Sequence, residues 1–185
     1  MAVLTHRLRR HGAGLLLALG LLGGDVSAQR PHVGEQGLKA AFLYNFTRFI
    51  EWPTFAFAGS SESFDVCVLA GPAFSREVEA VFAGEQVAGR AVRVVFPAPL
   101  ENLKSCHLLY IAREQGQAAQ HLSDLAQMPI LTVGEGRRFL EQGGVIAFQV
   151  ENNRVRFDVN RRRAEATGLI ISSKLLRVAR ELWPA

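Results

Sequence analysis

Lys39-Ala-Ala-Phe-Leu-Tyr-Asn-Phe-Thr-Arg-Phe-Ile-Glu-Trp-Pro53 is the stretch from which the fold is read. Good helix formers lead it, no Gly or Pro interrupts it, and Pro53 closes it, so the stretch predicts a helix. Its apolar groups do not keep to one face. Leu38, Ala41, Phe42, Phe49 and Trp52 follow helical spacing, whereas Leu43, Tyr44, Phe46 and Ile50 fall elsewhere. A helix that is apolar on most sides must be covered on most sides. One sheet covers one stripe, and the remainder calls for other helices, a second copy of the chain, or a partner. The helix is therefore either a buried core helix or one that also supplies a contact surface. Phe42, Phe46, Phe49 and Trp52 are the candidate contact residues.

Before this stretch lies the pattern of a secretory leader. Arg7, Arg9 and Arg10 form a positive region, Ala13 to Leu22 an apolar one, and Val26-Ser27-Ala28 a small-residue cleavage site. Cleavage is expected after Ala28, making residues 1–28 a signal peptide and residues 29–185 a single exported domain. The apolar run is about ten residues, against the roughly 20 needed to span a bilayer; an uncleaved membrane anchor is the alternative reading. No Cys follows the expected cleavage site closely enough for a lipoprotein. Removing the leader's three Arg and one Asp from 21 basic and 17 acidic residues leaves 18 and 16, a net +2, so the basic balance says little about nucleic acid. Arg161-Arg162-Arg163 reads as a solvated face.

The two cysteines are Cys67 and Cys106. Export to an oxidising compartment makes a disulfide the expected state. With no His at finger spacing they do not form a zinc site, and no metal site is expected.

Downstream, short apolar runs alternate with helical patterns. Phe64 to Ala70, Ala91 to Phe96, Cys106 to Ala112 and Pro129 to Val133 read as strands; Phe74 to Phe82, Gln115 to Gln127 and Arg137 to Gln142 read as helices. Val145 to Val150 and Arg154 to Val159 flank Asn152-Asn153 and read as a hairpin whose second arm is an antiparallel edge strand. A helix over Arg161 to Thr167 stops at Gly168, and Ser172 or Ser173 caps a last helix running to Trp183. The pattern predicts an α/β domain with a mainly parallel sheet in flavodoxin-like order, helices on both faces and a C-terminal antiparallel hairpin. In that order the Cys67 and Cys106 strands are neighbours, which agrees with their pairing.

Catalytic signatures are missing from the sequence. It has no Gly-x-Ser-x-Gly elbow, no dinucleotide fingerprint after a strand and no Walker loop. Gly134-Glu135-Gly136 is too short to count. His107, next to a Cys in an apolar strand, reads as a core or edge histidine, and Asp65, Glu77, Glu79, Asp124 and Glu165 are scattered. The chain reads as a non-enzyme without a cofactor. Ligands of such sheets bind at the carboxyl ends of strands, which puts a candidate ligand pocket at Gly71, Pro72 and Arg113.

Taken together, several segments resemble the YfiR family of exported bacterial proteins. They are Lys39 to Pro53, Val66 to Phe74, Cys106 to Ile111, Ile130 to Val133, Gly143 to Phe148, Val155 to Asn160 and Gly168 to Leu176. Phe-x-x-Trp-Pro closing the first and Ser-Ser-Lys-Leu-Leu closing the last are the most specific. The resemblance implies a compact α/β domain that dimerises, located in the periplasm. It implies a repressor that binds the periplasmic domain of an inner-membrane diguanylate cyclase, lowering cyclic-di-GMP and biofilm formation, with an outer-membrane lipoprotein as antagonist. Cys67 and Cys106 match a disulfide position of the family, while a further cysteine pair of its best-known member has no counterpart here. The alternative expectation is a stand-alone periplasmic sensor of a small ligand, sited near Gly71 and Arg113.

Overall fold

In the computed structural model, residues 34–57, 59, 63–96 and 100–184 are described. The expected signal peptide over residues 1–28 lies outside them. The first helix, α1 (Glu35–Thr47), ends well before Pro53. Thr47 Oγ1 donates to the Tyr44 carbonyl at 2.7 Å, and the Arg48 amide caps the last turn. The chain then runs extended as β1 (Ile50–Glu51), which pairs antiparallel with β9 (Ile170–Ile171). The Ser172 amide donates to the Phe49 carbonyl at 2.8 Å. The continuous helix expected to Pro53 is thus replaced by helix and strand. Thr47 and Ile50 are β-branched and Trp52 precedes a proline, so all three tolerate extended backbone. The distant Ile170–Ile171 segment supplies the backbone partners that the sequence does not reveal.

The main sheet is built from β2 (Phe64–Leu69), β3 (Gln86–Val87), β4 (Arg90–Val95), β5 (Leu108–Ile111), β6 (Leu131–Glu135), β7 (Ile146–Glu151), β8 (Arg154–Asn160) and β10 (Glu181–Trp183). Its order is β10-β8-β7-β6-β5-β2-β4-β3. Strands β2, β4, β5, β6 and β7 are parallel, β8 runs antiparallel to β7, and β10 runs parallel to β8. Counted along the chain, the five parallel strands lie second, first, third, fourth, fifth across the sheet. The whole sheet is wider than the flavodoxin-like order anticipates, because β3 extends one edge and β8 and β10 extend the other.

Strand β8 is not the edge that its alternating sequence suggests. The β7–β8 turn is made by Asn152 and Asn153 in left-handed backbone, φ 48 and 59°, but β10 then covers the far side of β8. The last helix, α6 (Ser173–Val178), starts at its Ser172 cap and stops short of Trp183. Glu181–Trp183 is strand instead. The Arg180 amide donates to the Phe157 carbonyl at 2.8 Å, and its guanidinium grips the buried Asp158 carboxylate through Nε and Nη2. That ion pair holds β10 in place and compensates a charge that would otherwise be buried alone.

Alternation along the strands divides the core between two faces. Val66, Val68, Leu108, Tyr110, Val133 and Phe148 point to the side covered by α1, α2 (Pro72–Phe82), α5 (Arg161–Ala166) and α6. Cys67, Leu69, Leu109, Ile111 and Ala147 point to the side covered by α3 (Ala118–Asp124) and α4 (Arg137–Glu141). Part of the apolar surplus of α1 is taken up within this arrangement. Phe46 packs on Phe148 and Phe157 at 5.8 and 4.9 Å between ring centroids, while Tyr44 meets Phe82 of α2 edge-on at 5.6 Å. Each such aromatic contributes about 1.5–3 kcal/mol through burial.

Candidate functional site

The carboxyl ends of β5 and β6 open into a cavity of about 510 Å³. Ile111, Ala112, Ala118 and Phe139 give it apolar walls, and Arg113, Glu135, Arg137 and Arg138 give it charge. Strand β5 delivers Arg113 at its end, β6 delivers Glu135, and α4 delivers Arg137 and Arg138. Helix α4 is fixed by its own Phe139. A Cβ on Gly134 would lie 2.4 Å from the Phe139 ring, and one on Gly144 would lie 2.1 Å from it. Only glycine at both positions leaves a slot for that ring, and the ring anchors the short helix to β6. Gly136, between β6 and α4, has φ +77°, and a Cβ there would sit 3.2 Å from Arg113 Nη2. The Arg113 side chain therefore lies across from the β5 end to the β6 end.

Behind the cavity wall is a polar network. Lys39 Nζ, 5% exposed as a residue, donates to Glu135 Oε1 at 2.9 Å and pairs with Glu35 at 2.6 Å. The Tyr110 hydroxyl donates to the same Glu135 oxygen at 2.6 Å. Burial pulls the Lys39 ammonium down, but hydrogen bonds to Glu35 and Glu135 outweigh it and raise the value above 10.5. Burial pushes the Glu135 carboxyl up, but Tyr110 and Lys39 outweigh it and hold it below 4.5. Burial, then the Glu135 carboxylate, drives the Tyr110 phenol upward. The network is an ionised lysine–carboxylate pair steadied by a neutral phenol. It ties α1 to the end of β6.

Of the expected pocket residues, Arg113 lines this cavity, while Gly71 and Pro72 begin α2 and form no part of its walls. Applying the strand-end rule to β6 as well as β2 and β5 would have exposed Glu135, Arg137 and Arg138 in the sequence. Cys67 and Cys106 are joined as a disulfide, on the α3–α4 face of the sheet. Among the expected contact residues, Phe46 is wholly buried, whereas Phe42, Phe49 and Trp52 are half-buried. Trp52 packs edge-on against Phe64 at 4.9 Å, and its indole N–H donates to the His107 carbonyl at 3.1 Å. His107 is a core residue: its Nδ1 accepts from the Asp65 amide at 3.0 Å, and its ring stacks between Phe57 and Phe64. Among the described residues, no group of three or more His, Cys, Asp or Glu is placed to hold a metal ion. None of their helices is long and apolar enough to cross a membrane.

Comparison with known proteins gives a family and a fold. Residues 36–180 match the YfiR/HmsC-like family. The chain belongs to that family. No sequence match to a curated protein is found for this YfiR/HmsC-like chain. Among solved structures it is similar to a conserved domain protein from Vibrio cholerae O1 biovar eltor, at 9% identity with TM-score 0.54, covering 80% of this chain. The chain spans 60% of that protein's length, and at this identity the likeness concerns the fold alone. A weaker likeness is to the ABC domain in complex with L-Trp from Streptococcus pneumonia, at 12% identity and TM-score 0.47, covering 64% of this chain and 55% of that one. The YfiR/HmsC-like family match is what bears on function.

Proposed function

We propose that this protein is exported, with its leader cut after Ala28, and acts in the periplasm as a non-enzymatic repressor. It binds the periplasmic domain of an inner-membrane diguanylate cyclase and holds the cyclase inactive. Cyclic-di-GMP and biofilm formation stay low as a result. An outer-membrane lipoprotein relieves the repression, and the protein acts as a homodimer. The observation that carries this reading is the YfiR/HmsC-like match over residues 36–180, a family associated with control of diguanylate cyclases.

The contact is assigned to the part of the 39–53 segment that its own domain leaves half-covered. Phe42, Phe49 and Trp52 belong to it, with Leu38 beside them at 38% exposure. Phe46 drops out of the contact, since a side chain without exposed surface reaches no partner. Deleting the gene should raise cellular cyclic-di-GMP, and restoring the parent sequence should lower it again. Restoring Phe49→Asp, exported and folded, should not. An unchanged cyclic-di-GMP level in the deletion strain overturns the repressor reading.

A further inference from the structure

The cavity at the ends of β5 and β6 has a chemistry that the repressor reading does not use. Three arginines line it, Arg113, Arg137 and Arg138. Among the described residues, neither Arg113 nor Arg138 has a hydrogen-bonded or ion-paired partner. Arg137 stacks over Trp183 at 4.5 Å and meets Glu141 and Glu181 only at 3.8 and 3.9 Å, beyond hydrogen-bonding range. The single carboxylate in the wall, Glu135, already has Oε1 engaged by Lys39 and Tyr110. Its charge is answered chiefly from behind by Tyr110 and Lys39, with a smaller electrostatic contribution from Arg113, so it offsets the three arginines only in part. Ile111, Ala112, Ala118 and Phe139 add apolar lining. The volume, about 510 Å³, lies within the usual range for small-molecule sites, roughly 300–1,000 Å³.

From this we infer that the cavity is a binding site for a small organic oxyanion, a carboxylate or phosphate ester with an apolar body. Guanidinium forks match the paired oxygens of either group. The apolar lining receives the rest of the molecule. Arg113 and Arg138 supply the recognising donors, because among the described residues neither is held by a hydrogen bond or ion pair. Arg137, its guanidinium over the Trp183 ring, adds field more than a directed bond. Glu135 acts as a positioning residue: ionised and fixed by Lys39 and Tyr110, it sets the β6 end from which Gly136 and α4 depart. The site stands on the cavity geometry and is independent of whether the protein represses a cyclase.

The test measures thermal stability and calorimetric binding on the purified protein with four probes at matched ionic strength. They are benzoate, phenyl phosphate, inorganic phosphate and the neutral isostere benzamide. A ligand of the folded state raises the melting temperature by mass action. Benzoate or phenyl phosphate should give a saturable rise, and benzamide none. Arg113→Gln and Arg138→Gln should each weaken binding about tenfold or more, the worth of one charged hydrogen bond, and both should retain the parental melting temperature without probe. A response to the phosphates alone, or to benzoate alone, upholds the oxyanion site and identifies the oxygen group it takes. The inference is overturned if benzamide matches benzoate, if added chloride reproduces the rise, if no probe binds, or if the folded variants bind like the parent.

Discussion

Lys39 Nζ and Glu135 Oε1 lie 2.9 Å apart although 96 residues separate them in the chain. Helix α1 and the end of β6 are joined by this contact, which lies behind the cavity wall that Glu135 lines. Replacing Glu135 by Gln leaves a nearly buried ammonium with Glu35 as its remaining anion. We expect a loss of about 2 kcal/mol in urea unfolding, on the low side for a broken buried pair because Glu35 persists.

The same pair sets a pH dependence. Glu135 is held below its ordinary 4.5, so its contribution is present above that value and is lost as pH falls through the lower folded value. Lys39 is held above 10.5, so its contribution is complete below that value and is lost as pH rises through the higher folded one. Melting temperatures followed from neutral pH into acid should fall less steeply for Glu135→Gln than for the parent. An equal acid slope in both would show that other carboxylates govern acid unfolding.

Phe139 sits in a slot made by two absent side chains. Gly144→Ala places a Cβ 2.1 Å from the ring and Gly134→Ala places one 2.4 Å from it, so each should cost about 1–3 kcal/mol or more by overpacking. Phe139→Ala should cost about 3–5 kcal/mol by leaving a void. In the Phe139→Ala background, Gly144→Ala should cost far less than in the parent, a coupling that a double-mutant cycle measures directly. Additive costs would mean that the glycines matter for backbone conformation alone.

The Cys67–Cys106 disulfide closes a loop across 39 residues of sequence. The chain-entropy account gives about 3–4 kcal/mol for such a loop. Mass spectrometry of the exported protein should find no free thiol, and the Cys67→Ala, Cys106→Ala double variant should unfold at lower urea. Cyclic-di-GMP repression at permissive temperature should persist, as expected for a bridge that serves stability.

Three aromatic positions of the 39–53 segment separate core from surface. Phe46→Asp places a charge among Phe42, Phe148 and Phe157 and should abolish folding, as a buried unpaired charge costs several kcal/mol or more. Phe49→Asp and Trp52→Ala should give folded proteins of reduced stability, readable by circular dichroism. If Phe49→Asp also unfolds, the half-buried surface belongs to the core.

Much of the sheet was legible because its signals are local. Runs such as Phe64 to Leu69 and Leu108 to Ile111 are apolar on both sides, which only a strand covered on both faces requires. Asn152-Asn153 announced its turn, and Ser172 its cap. Two boundaries were misread for one physical reason. After Thr47 and after Val178, the residues are compatible with helix and strand alike, and a partner strand far along the chain settles the outcome: Ile170–Ile171 for the first, Asp158–Asn160 for the second. The cavity was half legible. Arg113 followed from the strand-end rule, and the same rule applied to β6 points to Glu135, Arg137 and Arg138, while the pinning of α4 by Phe139 sets the last two at the cavity.

By itself, the sequence determined the class of fold, the candidate disulfide, the family resemblance and the lack of recognisable catalytic motifs, all properties of local pattern or residue type. The tertiary structure decided which apolar groups of the 39–53 segment have surface to offer. It also set Lys39 against Glu135 and left two arginines around a cavity with no hydrogen bond or ion pair among the described residues. Those outcomes depend on packing and charge compensation between segments far apart in the chain, and no local pattern encodes them.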